Sequence, residues 1–344
     1  MNDMEVVVAL LIIALGSFGQ SSSYVPINKV RSWSWESFWL VQGVFAWLLF
    51  PALGALLGVP AGMSLPELWA CGRVALIAGY GVLWGLGGLT FGLSMRYLGV
   101  ALGQSIALGT CSAFGTLLPA LLAGDDLWHG QGLLLLAGVA LTLAGIAVIG
   151  YAGSLRARGL SEEERRAAVK DFALTKGLLV ALLCGVMSAC FALGIDAGAG
   201  IRDAALEKGV NALYAGLPVI VLVTAGGFVT NAVYCLYQNA RNRTFADYRQ
   251  GGVWLNNLFF CALAGALWYS QFFGLEMGKS FLTGHATLLA FSWSILMALN
   301  VTFSNVWGIL LREWQGCGLQ VKAVLAAGLL VLVGSIVLVA VAQQ

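Results

Sequence analysis

The chain has 344 residues, of which 60% are hydrophobic and 10% charged, with a formal net charge of +2 and a mean hydropathy of +0.87. A soluble domain carries about 25% charged residues, so this chain cannot cover itself with water-facing side chains. No basic stripe interleaved with aromatics lies outside the apolar runs, which excludes a nucleic-acid binder.

Ten apolar runs meet the roughly 17–25 residues that a bilayer-crossing helix needs, with cores at 6–23, 38–58, 74–95, 101–122, 132–151, 177–196, 212–236, 253–275, 284–310 and 323–342. Backbone in hydrocarbon must satisfy its own hydrogen bonds, so the runs are predicted as helices of an all-α, multi-pass membrane protein. The first run lacks a basic start and a small-residue cleavage site, and reads as a retained span. It closes on Gln20, Ser21, Ser22 and Ser23. A connection with Lys29, Arg31, Trp33 and Trp35 leads through Glu36 into the second run. Glycines are dense in the third and fourth runs, and the spacings of four at Gly81/Gly85 and Gly88/Gly92 place them on one helix face. There neighbouring backbones can approach closely.

A basic connection at about 152–176 contains Ser161-Glu162-Glu163-Glu164, a capping pattern that would start a short surface helix. It divides the chain into five-helix halves, 1–151 and 177–344. The halves echo each other. Phe91-Gly92-Leu93-Ser94-Met95 in the third run recurs as Phe273-Gly274-Leu275-Glu276-Met277 in the eighth, and Trp84 and Trp268 lie near the middle of the same runs. The fifth run around Gly138–Ile149 likewise resembles the tenth around Gly328–Val339. Because five is odd, a duplicated half must lie inverted in the membrane, the arrangement of many secondary transporters. Of the 18 Lys and Arg, 14 fall in the odd-numbered connections. The positive-inside rule then places those connections in the cytoplasm and both termini outside. The seven cysteines sit mostly within apolar runs and form no Cys-x-x-Cys. They read as small apolar filler, with no metal or redox site indicated.

Polar groups inside the spans are costly unless paired or wetted, and so mark candidate positions: Gln20 in the first, Trp84 and Thr90 in the third, and Gln104 in the fourth. Trp268, Tyr269 and Gln271 follow in the eighth, then Trp293 and Asn300 in the ninth. Amides, hydroxyls and indoles together suit a small uncharged polyol. Amides replace the water lost by its hydroxyls, and a flat aromatic face covers its C–H side. A serine or threonine in a membrane helix ordinarily bonds its own backbone four residues back, so the amides and indoles carry more of this argument. Trp33, Trp35, Trp39, Trp69 and Trp128, near span ends, read as an interfacial belt. The site is expected between the third, fourth, eighth and ninth spans, with the first and sixth contributing.

Four segments, Pro26-Ile27-Asn28-Lys29-Val30-Arg31-Ser32-Trp33-Ser34-Trp35-Glu36, Trp84-Gly85-Leu86-Gly87 with Gly92-Leu93-Ser94-Met95-Arg96-Tyr97-Leu98-Gly99, Leu267-Trp268-Tyr269-Ser270-Gln271-Phe272-Phe273 and Leu311-Arg312-Glu313-Trp314, run in order along most of the chain. Together they resemble the L-rhamnose–proton symporter family. The resemblance implies a ten-helix, inverted five-plus-five protein of the drug/metabolite transporter superfamily in the bacterial inner membrane. It also implies import of L-rhamnose with a proton; a monomer or homodimer without a cofactor is expected. The sequence departs from the family pattern at Gly88 and Thr90, where asparagines are expected, at Leu296, where a histidine is, and at the charged Glu276 and Lys279. These departures bear on the sugar and the proton more than on the fold.

Proton coupling needs a carboxylate or histidine whose pKa can be moved. No run has an acid at its centre. Glu276, just past the expected end of the eighth run and three residues before Lys279, is one candidate, as are Glu36 and His285, which begin the second and ninth. Glu276 and Glu36 read more readily as interfacial charges and His285 is as ambiguous, so the residues alone leave the coupling ion open. Another deoxy sugar or small neutral metabolite, with altered or no proton coupling, is the alternative cargo. A membrane enzyme or sensor is the alternative class. No converging acid–base, metal or nucleophile set supports it, and no Gly-x-x-x-x-Gly-Lys phosphate loop supports a pump.

Overall fold

The computed structural model describes residues 3–60, 62–98, 100–159 and 173–342. Most of the 152–176 connection, with the Ser161-Glu162-Glu163-Glu164 pattern, lies outside them. All regular structure among the described residues is helical, and ten helices are long and apolar enough to cross a membrane.

The first span is Asp3–Ser22 continued by Tyr24–Ile27, and the second joins Trp35–Gly43 and Phe50–Gly58 through a π-helix at Val44–Leu49. The third to sixth are Val74–Leu98, Val100–Ala123, Gln131–Arg158 and Leu174–Ala197. The seventh to tenth are Leu217–Asn242, Gly251–Ser280, Ala286–Leu310 and Leu319–Val341. Short helices at Leu65–Trp69 and Ala199–Glu207 and a 3-10 turn at Thr244–Arg249 lie between spans.

Two boundaries differ from the apolar pattern in ways that matter. The seventh run was expected from 212, but residues 212–216 form turns and the helix starts at Leu217, with Pro218 in its first turn. Proline there lacks only an N–H that has no helical partner in any case. The eighth helix continues to Ser280, so Glu276 and Lys279 lie inside it and not beyond its end. Hydrophobicity falls at Glu276, but the backbone ladder does not.

The helices group into two compact units. One comprises Met1–Val6, Leu86–Leu193 and Leu282–Gln344; the other comprises Val7–Gly85 and Gly194–Phe281. Grouping by contact thus differs from division by chain order, and each unit takes helices from both sequence halves. In the first unit the fifth and tenth spans pack antiparallel. A Cβ at Gly138 would strike Val339, one at Gly145 would meet Leu332, and one at Gly328 would meet Ile149. Between these contacts Thr142 Oγ1 donates to Ser335 Oγ at 3.0 Å.

In the second unit the third and seventh spans approach through glycines: a Cβ at Gly81 would strike the Val223 carbonyl, and one at Gly226 the Ala78 carbonyl. Gly85, one turn on, lies against Thr230. The expected glycine face is therefore real at 81/85, whereas Gly88 faces open space. The first and eighth spans also pack backbone to backbone, with Gly16 against the Ser270 carbonyl and Ser270 Oγ donating to Gly16 O at 3.0 Å.

Candidate functional site

The second unit holds a cluster of tryptophans supplied by three helices. Trp47 comes from the π-turn of the second span, Trp84 from the third and Trp268 from the eighth. Ring centroids lie 6.0 Å apart for Trp47–Trp84, 5.7 Å for Trp47–Trp268 and 5.8 Å for Trp84–Trp268. Trp47 stands edge-on to both partners, at interplanar angles of 89° and 84°, the arrangement that ring quadrupoles favour. Glycines make the room: a Cβ at Gly43 would meet the Trp47 ring at 2.7 Å, and one at Gly227 would strike the Trp84 ring. Phe272 closes one side, 5.3 Å from Trp268.

The cluster continues along the second span. Trp39 lies 5.7 Å from Trp47, stacks on Trp35 at 5.5 Å, and donates its indole N–H to Asn231 Oδ1 at 3.2 Å. Trp39 is thus half-buried and tied to the seventh span, where its position near a span end suggested a belt residue. Trp69 likewise donates to Pro218 O at 3.0 Å, whereas Trp128 is exposed, as a belt residue would be. Amide groups lie on the same helices as the rings. Gln271 is buried and donates from Nε2 to Trp268 O at 3.1 Å, and Gln42 is buried on the second span. The Tyr269 hydroxyl is buried over Gly54 with no hydrogen-bond partner. Gln20 is half-buried and accepts from Ser21 Oγ at 3.3 Å.

Carboxylates occupy both ends of this unit's helices. Glu36 is buried and accepts from Asn242 Nδ2 and Thr244 Oγ1, each at 2.9 Å. Beside it Asp247, in the 3-10 turn, accepts from the Ser34 N–H at 2.8 Å and the Ser34 hydroxyl at 2.7 Å. Burial pushes the Asp247 carboxyl up, but these bonds and one from Ser37 outweigh it and hold it below the usual carboxylate range. Glu276 is 5% exposed, pairs with Lys279 Nζ at 3.0 Å, and sets its carboxylate directly over Gly216. The expected intrahelical pair therefore forms, in a buried setting.

The first unit has its own polar centre. Ser294 Oγ lies 2.9 Å from Ser112 Oγ and 2.8 Å from Thr116 Oγ1, all three fully or almost fully buried. Trp293 stacks on Phe191 at 5.8 Å, donates to Cys111 O at 3.2 Å, and has its indole seated on Gly115. Thr90 donates to Leu86 O and Gly87 O of its own helix, the backbone-bonded state common for membrane hydroxyls. Gln104 and Asn300 are half-buried. His285 caps the ninth helix, its Nε2 buried without a partner.

Of the residues singled out from sequence, the fold brings Trp84, Trp268, Tyr269 and Gln271 into one unit and places Thr90, Gln104, Trp293 and Asn300 in the other. Trp47, which touches both rings, and Gln42 and Asn231 were not among the residues singled out. One signal was available: Trp47 lies at the middle of a 38–58 apolar run, where an indole N–H cannot reach an interface.

Ten apolar helices with indoles and amides gathered in the interior define a polytopic helical membrane protein of the transport class. The family model for L-rhamnose-proton symport protein matches residues 1–343, and the chain belongs to that family. It is 32% identical over 326 residues to the L-rhamnose-proton symporter of Yersinia pestis (strain Pestoides F), covering 93% of each chain. To the L-rhamnose-proton symporter of Cronobacter sakazakii (strain ATCC BAA-894) it is 34% identical over 334 residues, covering 93% of this chain and 92% of the relative. It is a multi-pass protein of the bacterial inner membrane and not an enzyme.

Proposed function

We propose that the chain imports L-rhamnose together with a proton, as a secondary active transporter working by alternating access. Full-length membership of the family and the names of the relatives support the cargo. The observation in the fold that carries the reading is the meeting of the buried Trp47 with the half-buried Trp84 and Trp268, with the buried Gln271 on the same helix as Trp268. A 6-deoxy sugar has an apolar methyl and C–H face and a polar hydroxyl rim. Indole faces take the first and amides the second, the combination that small-molecule sites use. No charged side chain is needed against a neutral sugar.

The proton is assigned to the buried acids. Glu276 takes it in this reading, because its carboxylate is desolvated and its partner Lys279 lies on the same helix. Glu36 and His285 are the other candidates, and Gln20, Thr90, Gln104, Trp293 and Asn300 remain proposed contributors to sugar binding.

The test is uptake of radiolabelled L-rhamnose into proteoliposomes, with and without an inward proton gradient, competed by L-fucose, L-mannose and D-ribose. Gradient-driven accumulation blocked mainly by close analogues supports the reading. Uptake that ignores the gradient removes the proton, and no uptake by folded protein removes L-rhamnose in favour of another small neutral cargo.

A further inference from the structure

The second span is widened at Val44–Leu49 into a π-helix. Such turns are rare and often lie at functional sites. This one is held from outside: a Cβ at Gly265 of the eighth helix would meet Phe45 Cβ at 2.7 Å and Ala46 N at 3.0 Å. The eighth helix therefore lies directly against the widened backbone. The register change has a consequence for side chains. Gln42 and Trp47 are five residues apart, which in an α-helix separates them by about 140° around the axis. The widening at Val44–Leu49 reduces that separation, Gln42 lying just before it and Trp47 inside it.

Both side chains are deeply buried, Gln42 at 3% exposure and Trp47 at 5%, and each has an unpartnered polar atom. Gln42 Oε1 is an acceptor with no donor, and Trp47 Nε1–H is a donor with no acceptor. Leaving a buried polar group unpaired is destabilising, and most buried polar atoms in native proteins are paired. Trp39, on the same span, shows the ordinary outcome, with its N–H bonded to Asn231. Trp47 is also the ring that stands edge-on to both Trp84 and Trp268. One free donor thus lies among aromatic rings inside the distorted turn, and one free acceptor lies just before that turn on the same span.

We propose that Gln42 and Trp47 form a hydroxyl-reading pair of the sugar site. One sugar hydroxyl donates to Gln42 Oε1, another accepts from Trp47 Nε1–H, and the ring lies against the tryptophan faces. The ligand class is a neutral, hydroxylated ring. The inference rests on the sugar-transport reading and deepens it by naming residues that set specificity.

The test uses the full-length protein in proteoliposomes, with KM measured for L-rhamnose and for analogues each lacking one hydroxyl. Trp47→Phe keeps the ring and removes the N–H; Gln42→Leu keeps the bulk and removes the acceptor. Each variant is expected to raise the L-rhamnose KM roughly 10–100-fold, as the loss of one buried hydrogen bond does. Each is also expected to become indifferent to the loss of one particular hydroxyl to which the wild type is sensitive. That cancellation is a readout that a packing defect would not give. Wild-type uptake with an unchanged KM in both variants overturns the pair alone, as does a KM raised by the same factor for every analogue. Wild-type protein that takes up none of these sugars overturns the transport reading, and the pair with it.

Discussion

Trp268 and Gln271 lie three residues apart on the eighth helix, and Gln271 Nε2 donates to the Trp268 carbonyl. The indole face and the amide are thereby presented as one piece. Trp268→Ala and Gln271→Ala are each expected to reduce uptake below detection while leaving folded protein in the membrane, measured by transport beside size-exclusion and thermal-melt profiles. Wild-type uptake by both would remove them from the site. Asp247 makes a different kind of contribution. Its carboxyl is held below the usual value in the folded protein, so the stability it supplies is full above the unfolded carboxyl pKa, near pH 4, and is lost as pH falls through its folded value. Asp247→Asn should therefore lower stability by about 1–2 kcal/mol at neutral pH and flatten the acid limb of a melting-temperature profile. An acid limb identical to wild type would show that Asp247 is not anchored as described. In sequence Asp247 stands among Arg241, Arg243 and Arg249, with nothing nearby to mark it as buried. Its partners, Ser34 and Ser37, lie more than two hundred positions away.

At the scale of the element, glycine decides which helices can touch. Gly81 and Gly88 belong to the same helix and look equivalent in sequence, yet one abuts the Val223 carbonyl and the other faces open space. Gly81→Ala forces the third and seventh helices apart and should cost about 1–3 kcal/mol, visible as a lower melting midpoint in detergent. Gly88→Ala should leave the midpoint where it is; equal shifts in the two variants would contradict this packing. The π-turn is the element least legible in the chain. Val44-Phe45-Ala46-Trp47-Leu48-Leu49 is ordinary apolar sequence, and nothing in its residue types distinguishes i→i+5 from i→i+4 bonding. The eighth helix lying against the turn at Gly265 accompanies that choice. The longer reach of the eighth helix, to Ser280, was hidden for a related reason. A hydropathy boundary marks where side chains become polar, not where the backbone stops being helical.

For the whole molecule, the charge asymmetry of the connections carries the proposed orientation, with odd connections in the cytoplasm and both termini outside. Alkaline phosphatase fused after Gln344 should then be active, and the same reporter inserted in the 152–176 connection should be silent. The reverse pattern would invert the topology and leave the fold as described. The proposal that halves 1–151 and 177–344 are inverted copies rests on their sequence echoes, of which the fifth and tenth spans are now seen to pack along one another.

What the sequence by itself determined is the solvent and the secondary structure. Ten apolar runs can only be helices in a bilayer, because hydrocarbon offers the backbone no other partners. It also singled out Trp84 and Trp268 as candidates, since a large polar-tipped ring at mid-span stands out against aliphatic neighbours. Only the tertiary structure decided that Trp47 joins them, that Trp39 is bonded to Asn231, and that Glu276 is buried over Gly216. The physical reason is that a membrane helix is apolar on nearly every face. Its sequence therefore reports that it is buried in something, while close backbone approach between particular helices, at particular glycines, selects which side chains meet.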